Sequence, residues 1–111
     1  MSRITTHVLD TSRGRPAARV AVALEREGEA GGWMAVGRGA TDADGRLKDL
    51  TDAEVEAGTY RLTFETGAYF AALGVESFYP RVAVIFTVGA GEHYHVPVLV
   101  NPFGYSTYRG S

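Results

Sequence analysis

The sequence predicts an all-β fold, an antiparallel β-sandwich with one short helix. About eight strand-like runs recur at spacings of about ten residues, with turn signals between them. Glycine accounts for 14 of the 111 residues and proline for only 4, which suits short strands joined by tight turns. The predicted strands cover residues 3–10, 18–27, 33–40, 45–48, 59–66, 79–89, 92–100 and 104–109.

Alternation of apolar and polar residues identifies these strands. In the first strand, residues 4, 6 and 8 are predicted to face the core, and residues 5, 7 and 9 face outward. In the strand 59–66, Tyr60, Leu62 and Phe64 share one face, which is the pattern of a half-buried strand.

Three segments need separate interpretation. Residues 82–88 are apolar on both faces, so this strand is predicted to be covered on both sides. Pro97 predicts an edge or a register irregularity, because proline cannot donate to a strand ladder. A helix is predicted over residues 68–73, between Gly67 and Gly74, and residues 51–56 are compatible with a second, brief helix.

Composition excludes several classes of function. The net charge is -2 and the pI is about 5.9, so no broad basic field is available for nucleic acid or an anionic membrane. The absence of cysteine excludes disulfides, thiolate metal sites and cysteine nucleophiles. The sequence contains no apolar run of secretory or membrane length. We expect one domain over residues 1–111 and a cytoplasmic location, and a removed leader is left open.

Two histidines are predicted on outward faces that also carry apolar residues. His7 lies beside Leu9 in the first strand, and His95 lies beside Leu99 in the strand 92–100. Apolar outward faces favour burial against a partner subunit, which would leave a partly desolvated histidine site between subunits. The alternative is that these are ordinary surface or interface histidines.

The C-terminal segment 105–111 is aromatic and β-prone to its last residue, although chain ends usually fray. It is either an edge strand that packs tyrosines or a segment that reaches into a site with Arg109.

Metal sites are not predicted. The segment 42–45 (DADG) resembles part of a calcium loop, but the twelve-residue register places Ala40 and Thr51 at ligand positions, so we interpret it as a tight turn. His93 and His95 share a strand face, yet a third zinc ligand is undefined.

Five segments together resemble one protein family, the hydroxyisourate hydrolase branch of the transthyretin-like proteins. The Tyr-Arg-Gly-Ser ending is specific, because the hormone-carrying branch does not end this way and lacks the two histidines. The segments are residues 6–10 (THVLD), 14–17 (GRPA), 41–47 (TDADGRL), 95–97 (HVP) and 102–111 (PFGYSTYRGS).

The resemblance implies a fold, an assembly and an activity. It implies two four-stranded sheets, a homotetramer with active sites at the dimer–dimer interface, and no cofactor. The implied reaction is hydrolysis of 5-hydroxyisourate, opening a cyclic amide to give 2-oxo-4-hydroxy-4-carboxy-5-ureidoimidazoline in urate degradation. The competing interpretations are a small-ligand carrier of the same fold and a purely structural sandwich.

The resemblance also assigns the site residues. Arg46 matches the catalytic arginine of the family, and His7 and His95 match its histidines. From their chemistry, the histidines would activate water and deliver a proton, while Arg46 would polarise the substrate carbonyl oxygens. Ser111 is a fourth catalytic candidate, through its hydroxyl or carboxylate. These four residues would also bind the substrate, and the pocket would be completed by Tyr108, Arg109 and Gly110.

Overall fold

Two β-sheets pack face to face in the computed structural model, which describes residues 2–51 and 54–111. The predicted β-sandwich with a single short helix is confirmed within this part of the chain. In chain order the elements are β1 (Arg3–Asp10), β2 (Arg15–Pro16), β3 (Ala21–Glu27), β4 (Trp33–Ala40), β5 (Arg46–Leu47), β6 (Gly58–Phe64), α1 (Thr66–Ala72), β7 (Val82–Val88), β8 (His93–Asn101) and β9 (Gly104–Thr107).

The sheet composition differs from the expectation of two four-stranded antiparallel sheets. One sheet has four strands in the order β4-β3-β6-β7, but the other has five, in the order β2-β1-β8-β9 with β5 also paired to β1. The fifth strand arises because β1 pairs with both two-residue strands, β5 at Thr6 and His7 and β2 at Leu9 and Asp10. The β1–β8 pair is parallel, which the sequence did not predict.

The core lies between the sheets and follows the predicted alternation. Tyr60, Leu62 and Phe64 are at most 1% exposed, and Val8 and Val98 are completely buried as direct neighbours across β1 and β8. Burial of such side chains stabilises the fold by about 1.5–3 kcal/mol each.

The predictions for β7 and for Pro97 in β8 are both wrong in part. In β7 the inward residues are buried or half-buried, but on the outward face Ile85 is 61% exposed, so this single chain does not cover both faces. Pro97 does not mark an edge, because β8 lies between β1 and β9. The ladder between β8 and the C-terminal segment breaks at Pro97 and resumes at the His95–Gly110 bridge.

The helix begins two residues earlier than predicted. Thr66 is buried, and Gly67, which we expected to precede the helix, donates its amide N–H to the Pro80 carbonyl at 3.0 Å. This bond satisfies one of the free donors of the first turn. The brief helix considered for residues 51–56 falls partly outside the described residues, and Val55 forms an isolated bridge with Ser2. Among the described residues, no helix has the length and hydropathy needed to cross a membrane.

Candidate active site

The outer face of the five-stranded sheet carries three of the predicted residues, His7, Arg46 and His95, although His7 is not part of the wall of the depression described next. In the β1–β8 register Thr5 lies opposite His95 and His7 opposite Pro97, while β5 places Arg46 opposite His7. Because side chains alternate along a strand, these odd-numbered residues of β1 and β8 share the face away from the core.

An open depression of about 270 Å³ lies on this face. His95, Arg46 and Ser111, all predicted site residues, contribute to its wall. Sequence reasoning missed Thr5 and Lys48 and considered His93 only as a metal ligand. The signal for Thr5 was its place on the outward face of β1 with His7, but its function depends on the register with β8. The lining residues are Thr5, Thr6, Arg46, Lys48, His93, His95 and Ser111.

Arg46 is positioned by the tight turn that precedes it, which confirms the turn interpretation of residues 42–45. Asp42 Oδ1 accepts the backbone N–H groups of Asp44 and Arg46, each at 2.9 Å. Gly45 adopts φ +75°, and a Cβ there would lie 2.4 Å from the Val8 carbonyl oxygen. The N–H of Arg46, followed by that of Asp44, stabilises the charged carboxylate and lowers the pKa of Asp42.

The same turn orients His7. The Nε2 atom of His7 lies 2.9 Å from the Asp44 carbonyl oxygen. A carbonyl oxygen only accepts hydrogen bonds, so Nε2 carries a hydrogen, and Nδ1 is the other ring nitrogen available for chemistry.

His95 is held through its other ring nitrogen and its backbone. Its Nδ1 lies 2.8 Å from Thr5 Oγ1, and its carbonyl accepts the N–H of Gly110 at 2.8 Å. The first contact leaves Nε2 as the nitrogen available to a ligand. Burial lowers the pKa of His95, and the positive charge of Arg46 and the neighbouring histidines, His7 and His93, lower it further. His95 is therefore biased toward its neutral, proton-accepting form.

The C-terminal segment divides between two depressions. Gly110 bridges to His95 and Ser111 lines the depression with Arg46, but Tyr108 and Arg109 line a second depression of about 270 Å³ with His95 at the open edge between the sheets. Arg109 lies 4.5 Å above the ring of Tyr94. Within one chain, Tyr108 and Arg109 therefore do not join Arg46.

A larger depression, of about 470 Å³, lies beside α1 and is lined by Arg13, Arg15 and Arg19 among others. It contains none of the predicted site residues, so volume does not identify the site here. No group of three or more potential metal ligands occurs within residues 2–51 and 54–111.

Comparison with known proteins decides the family. The sequence profile described as "HIUase/Transthyretin family" matches residues 4–110. The chain belongs to this family. The transthyretin-like sandwich expected from the sequence is thus confirmed for the family as well as for the fold.

Relatives from both branches of the family match this chain, with different sequence identities. A 5-hydroxyisourate hydrolase of Caulobacter vibrioides is 45% identical over 117 residues, covering 100% of both chains. The structure of Klebsiella pneumoniae 5-hydroxyisourate hydrolase has a TM-score of 0.89 and 45% identity over 100% of both chains. Sea bream transthyretin in complex with thyroxine has a TM-score of 0.92 but 32% identity, covering 97% of this chain and 94% of that one. The fold fits both branches, whereas sequence identity favours the hydrolases.

Proposed function

We propose that this protein hydrolyses 5-hydroxyisourate, opening its cyclic amide to give 2-oxo-4-hydroxy-4-carboxy-5-ureidoimidazoline in urate degradation. The observation that carries the proposal is the convergence of His95, Arg46 and Ser111 on one depression, with His7 opposite Arg46 in the strand register. The 45% identity to named hydrolases over the full chain supports it.

The proposed chemistry follows from the state of each group. Amide hydrolysis needs an activated water, stabilisation of the oxyanion and a proton for the leaving nitrogen. His95 Nε2 would take the proton of the attacking water, since burial and nearby cations favour its neutral form. Arg46 would bind the carbonyl oxygens and stabilise their developing negative charge. His7 would deliver a proton from Nδ1 when its ring is charged.

Gly110 and Ser111 would complete the pocket beside His95, and Ser111 would orient the water or a histidine. Tyr108 and Arg109 would contribute from the adjoining depression at the open edge between the sheets. We assign no cofactor to the reaction, because the proposed proton transfers and charge stabilisation are all within the chemistry of these side chains.

We further propose that residues 1–111 act as one domain in a cytoplasmic homotetramer, a dimer of dimers with the sites at the dimer–dimer interface. The face that carries the site also carries Leu9 and Leu99, both only half-buried in the single chain. Ile85 is exposed on the outward face of β7, which is the last strand of its sheet. Apolar surface of this kind favours association. Native mass spectrometry tests the assembly, and a monomer at micromolar concentration contradicts it.

The second candidate is a small-ligand carrier without catalysis, because a transthyretin that binds thyroxine has the same fold at a TM-score of 0.92. A carrier needs a lined channel, but it has no need for a histidine base with a lowered pKa beside an arginine.

The deciding experiment follows the ultraviolet decay of freshly generated 5-hydroxyisourate with and without the protein. We expect acceleration by the wild type and a loss of about 10²–10⁴-fold in kcat for His95→Ala, the usual effect of removing one proton-transfer group. Circular dichroism serves as the folding control. A folded His95→Ala variant with wild-type kcat would refute the assignment of His95, and an inactive wild type would refute the hydrolase.

A further inference from the structure

The Thr5 hydroxyl lies between two histidines of β8. Its Oγ1 is 2.8 Å from His95 Nδ1 and 2.8 Å from His93 Nε2. Thr5 is only 9% exposed, whereas His93 is exposed and His95 half-buried. Thr5 thus joins the half-buried ring of His95 to the exposed ring of His93 on the wall of the same depression.

Counting hydrogens restricts this arrangement to two forms. A hydroxyl has one hydrogen, so it donates to one of the two ring nitrogens and accepts an N–H from the other. In the first form His95 donates from Nδ1, Thr5 donates to His93, and a neutral His95 has a bare Nε2. In the second form both bonds are reversed, and a neutral His95 carries its hydrogen on Nε2. Only the first form leaves His95 Nε2 able to accept a proton from water.

We propose that Thr5 is a positioning residue: by donating its hydroxyl hydrogen to His93 it selects the proton-accepting tautomer of His95, and it connects His95 to His93, the outlet through which a proton reaches solvent while His95 takes one from water. This inference rests on the proposed function and adds two residues to it. Thr5 acts through His95, and His93 exchanges the proton with solvent.

The transfer balances in atoms and charge. As water attacks the carbonyl carbon, its proton moves to His95 Nε2 and the proton on Nδ1 moves to Thr5 Oγ1. The hydroxyl hydrogen of Thr5 moves to His93 Nε2, and His93 releases the proton on Nδ1 to solvent. The original arrangement returns when His95 Nε2 gives up to solvent the proton it took from water, a solvent proton enters at His93 Nδ1, and the hydrogens of Thr5 and His95 move back. The chain therefore keeps His95 neutral during the attack and carries no net proton over a full turnover.

The surrounding charges favour movement in this direction. Arg46 and Lys48 line the same depression, and His7 lies opposite Arg46 across the β1–β5 pair. These groups are cationic or become so on protonation, so they disfavour a positive charge on the half-buried His95. His93 lines the same depression but is exposed, so solvent can reach its ring directly.

Thr5→Val tests the proposal, because valine keeps the shape of threonine and lacks the hydroxyl. We expect kcat to fall by about tenfold or more while KM changes by less than about twofold, as for a group that acts in proton transfer rather than binding. Thr5→Ser keeps the hydroxyl and is expected to recover most of the lost kcat. Thr63→Val is the matched control, since Thr63 is a half-buried strand threonine of the other sheet.

His93→Gln tests the outlet separately. Glutamine can form a hydrogen bond with Thr5 but cannot carry the proton onward. We expect its kcat to be low in dilute buffer and to rise with added imidazole, whereas the wild type stays constant. Either of two results would overturn the proposal: a Thr5→Val variant as active as Thr63→Val, or equal losses in Thr5→Val and Thr5→Ser. Wild-type behaviour of His93→Gln in dilute buffer would remove the outlet.

A readout that does not depend on turnover separates this proposal from the proposed function. The ¹⁵N shifts of the imidazole rings report which nitrogen carries hydrogen. In Thr5→Val we expect the tautomer ratio of His95 to change, and unchanged shifts would refute the arrangement even if the wild type is inactive. An inactive wild type with the expected shifts would overturn the proton outlet together with the hydrolase, while the tautomer selection would stand.

Discussion

Gly110→Ala is the sharpest test of the C-terminal segment as part of the site. Gly110 bridges to His95, and a Cβ there would lie 2.7 Å from His95 Cδ2 and 3.2 Å from Pro97 Cγ. Non-bonded carbon atoms prefer separations of about 3.5–4.0 Å, so the ring or the segment must move by about 1 Å. A misplacement of about 1 Å in a catalytic geometry can reduce the rate by about 10²-fold.

The same substitution is expected to lower stability without unfolding the domain. The added Cβ is expected to weaken or break one backbone hydrogen bond, from the Gly110 N–H to the His95 carbonyl. Such a bond contributes about 1 kcal/mol to the free energy of unfolding. For a domain of this size that corresponds to a fall in Tm of about 4–8 °C. We therefore expect kcat/KM to fall by about 10²-fold in a variant that remains folded at the assay temperature.

The assay is the decay of fresh 5-hydroxyisourate, with Tm and native mass measured on the same samples. Gly32→Ala is the matched control, because a Cβ at Gly32 meets no atom within 4 Å. If the folded Gly110→Ala variant has the same kcat/KM as Gly32→Ala, the contact between the segment and His95 does not determine activity, and the reasoning is wrong.

Three further perturbations test the supports of the site. Asp42→Ala removes the acceptor of the Arg46 N–H and is expected to lower kcat/KM by about tenfold, whereas Asp42→Asn keeps an acceptor oxygen and should retain most of the wild-type kcat/KM. Equal losses in the two variants would exclude the hydrogen bond as the cause. Arg46→Gln removes a cation that lowers the pKa of His95, so this pKa should rise toward its usual 6.5 in an NMR titration; an unchanged pKa would contradict the electrostatic coupling. Deleting residues 108–111 should abolish turnover without unfolding the domain, because β9 ends at Thr107; retained activity would remove these residues from the site.

The alternation of apolar and polar residues predicted the longer strands and their buried faces, but it did not predict how the strands pair. The alternation in β6 identified its buried residues, since each side chain of a strand points opposite to its neighbour. The two-residue strands β2 and β5 are too short to carry a period, so their pairing was not predictable from pattern. The parallel β1–β8 pair was missed because it depends on the path of the whole chain between the strands.

The site residues were likewise predictable only in part from the sequence. The outward position of His7 and His95 followed from strand parity, and the resemblance to a family supplied Arg46. The places of Thr5 and Lys48 required the register between strands that are distant in sequence. Tyr108 and Arg109 lie beside β7 in the second depression, away from Arg46, and that position depends on how the two sheets meet, which no local pattern reports.

The β1–β8 pair has a consequence for the order of folding. Thr5 and His95, which form the hydrogen bond at the centre of the depression, are 90 positions apart in the sequence. Contacts between such distant residues carry a large loop-closure entropy and form slowly relative to local hairpins. Recovery of activity after dilution from denaturant should therefore lag behind the recovery of β-sheet ellipticity, which makes turnover a late reporter of refolding.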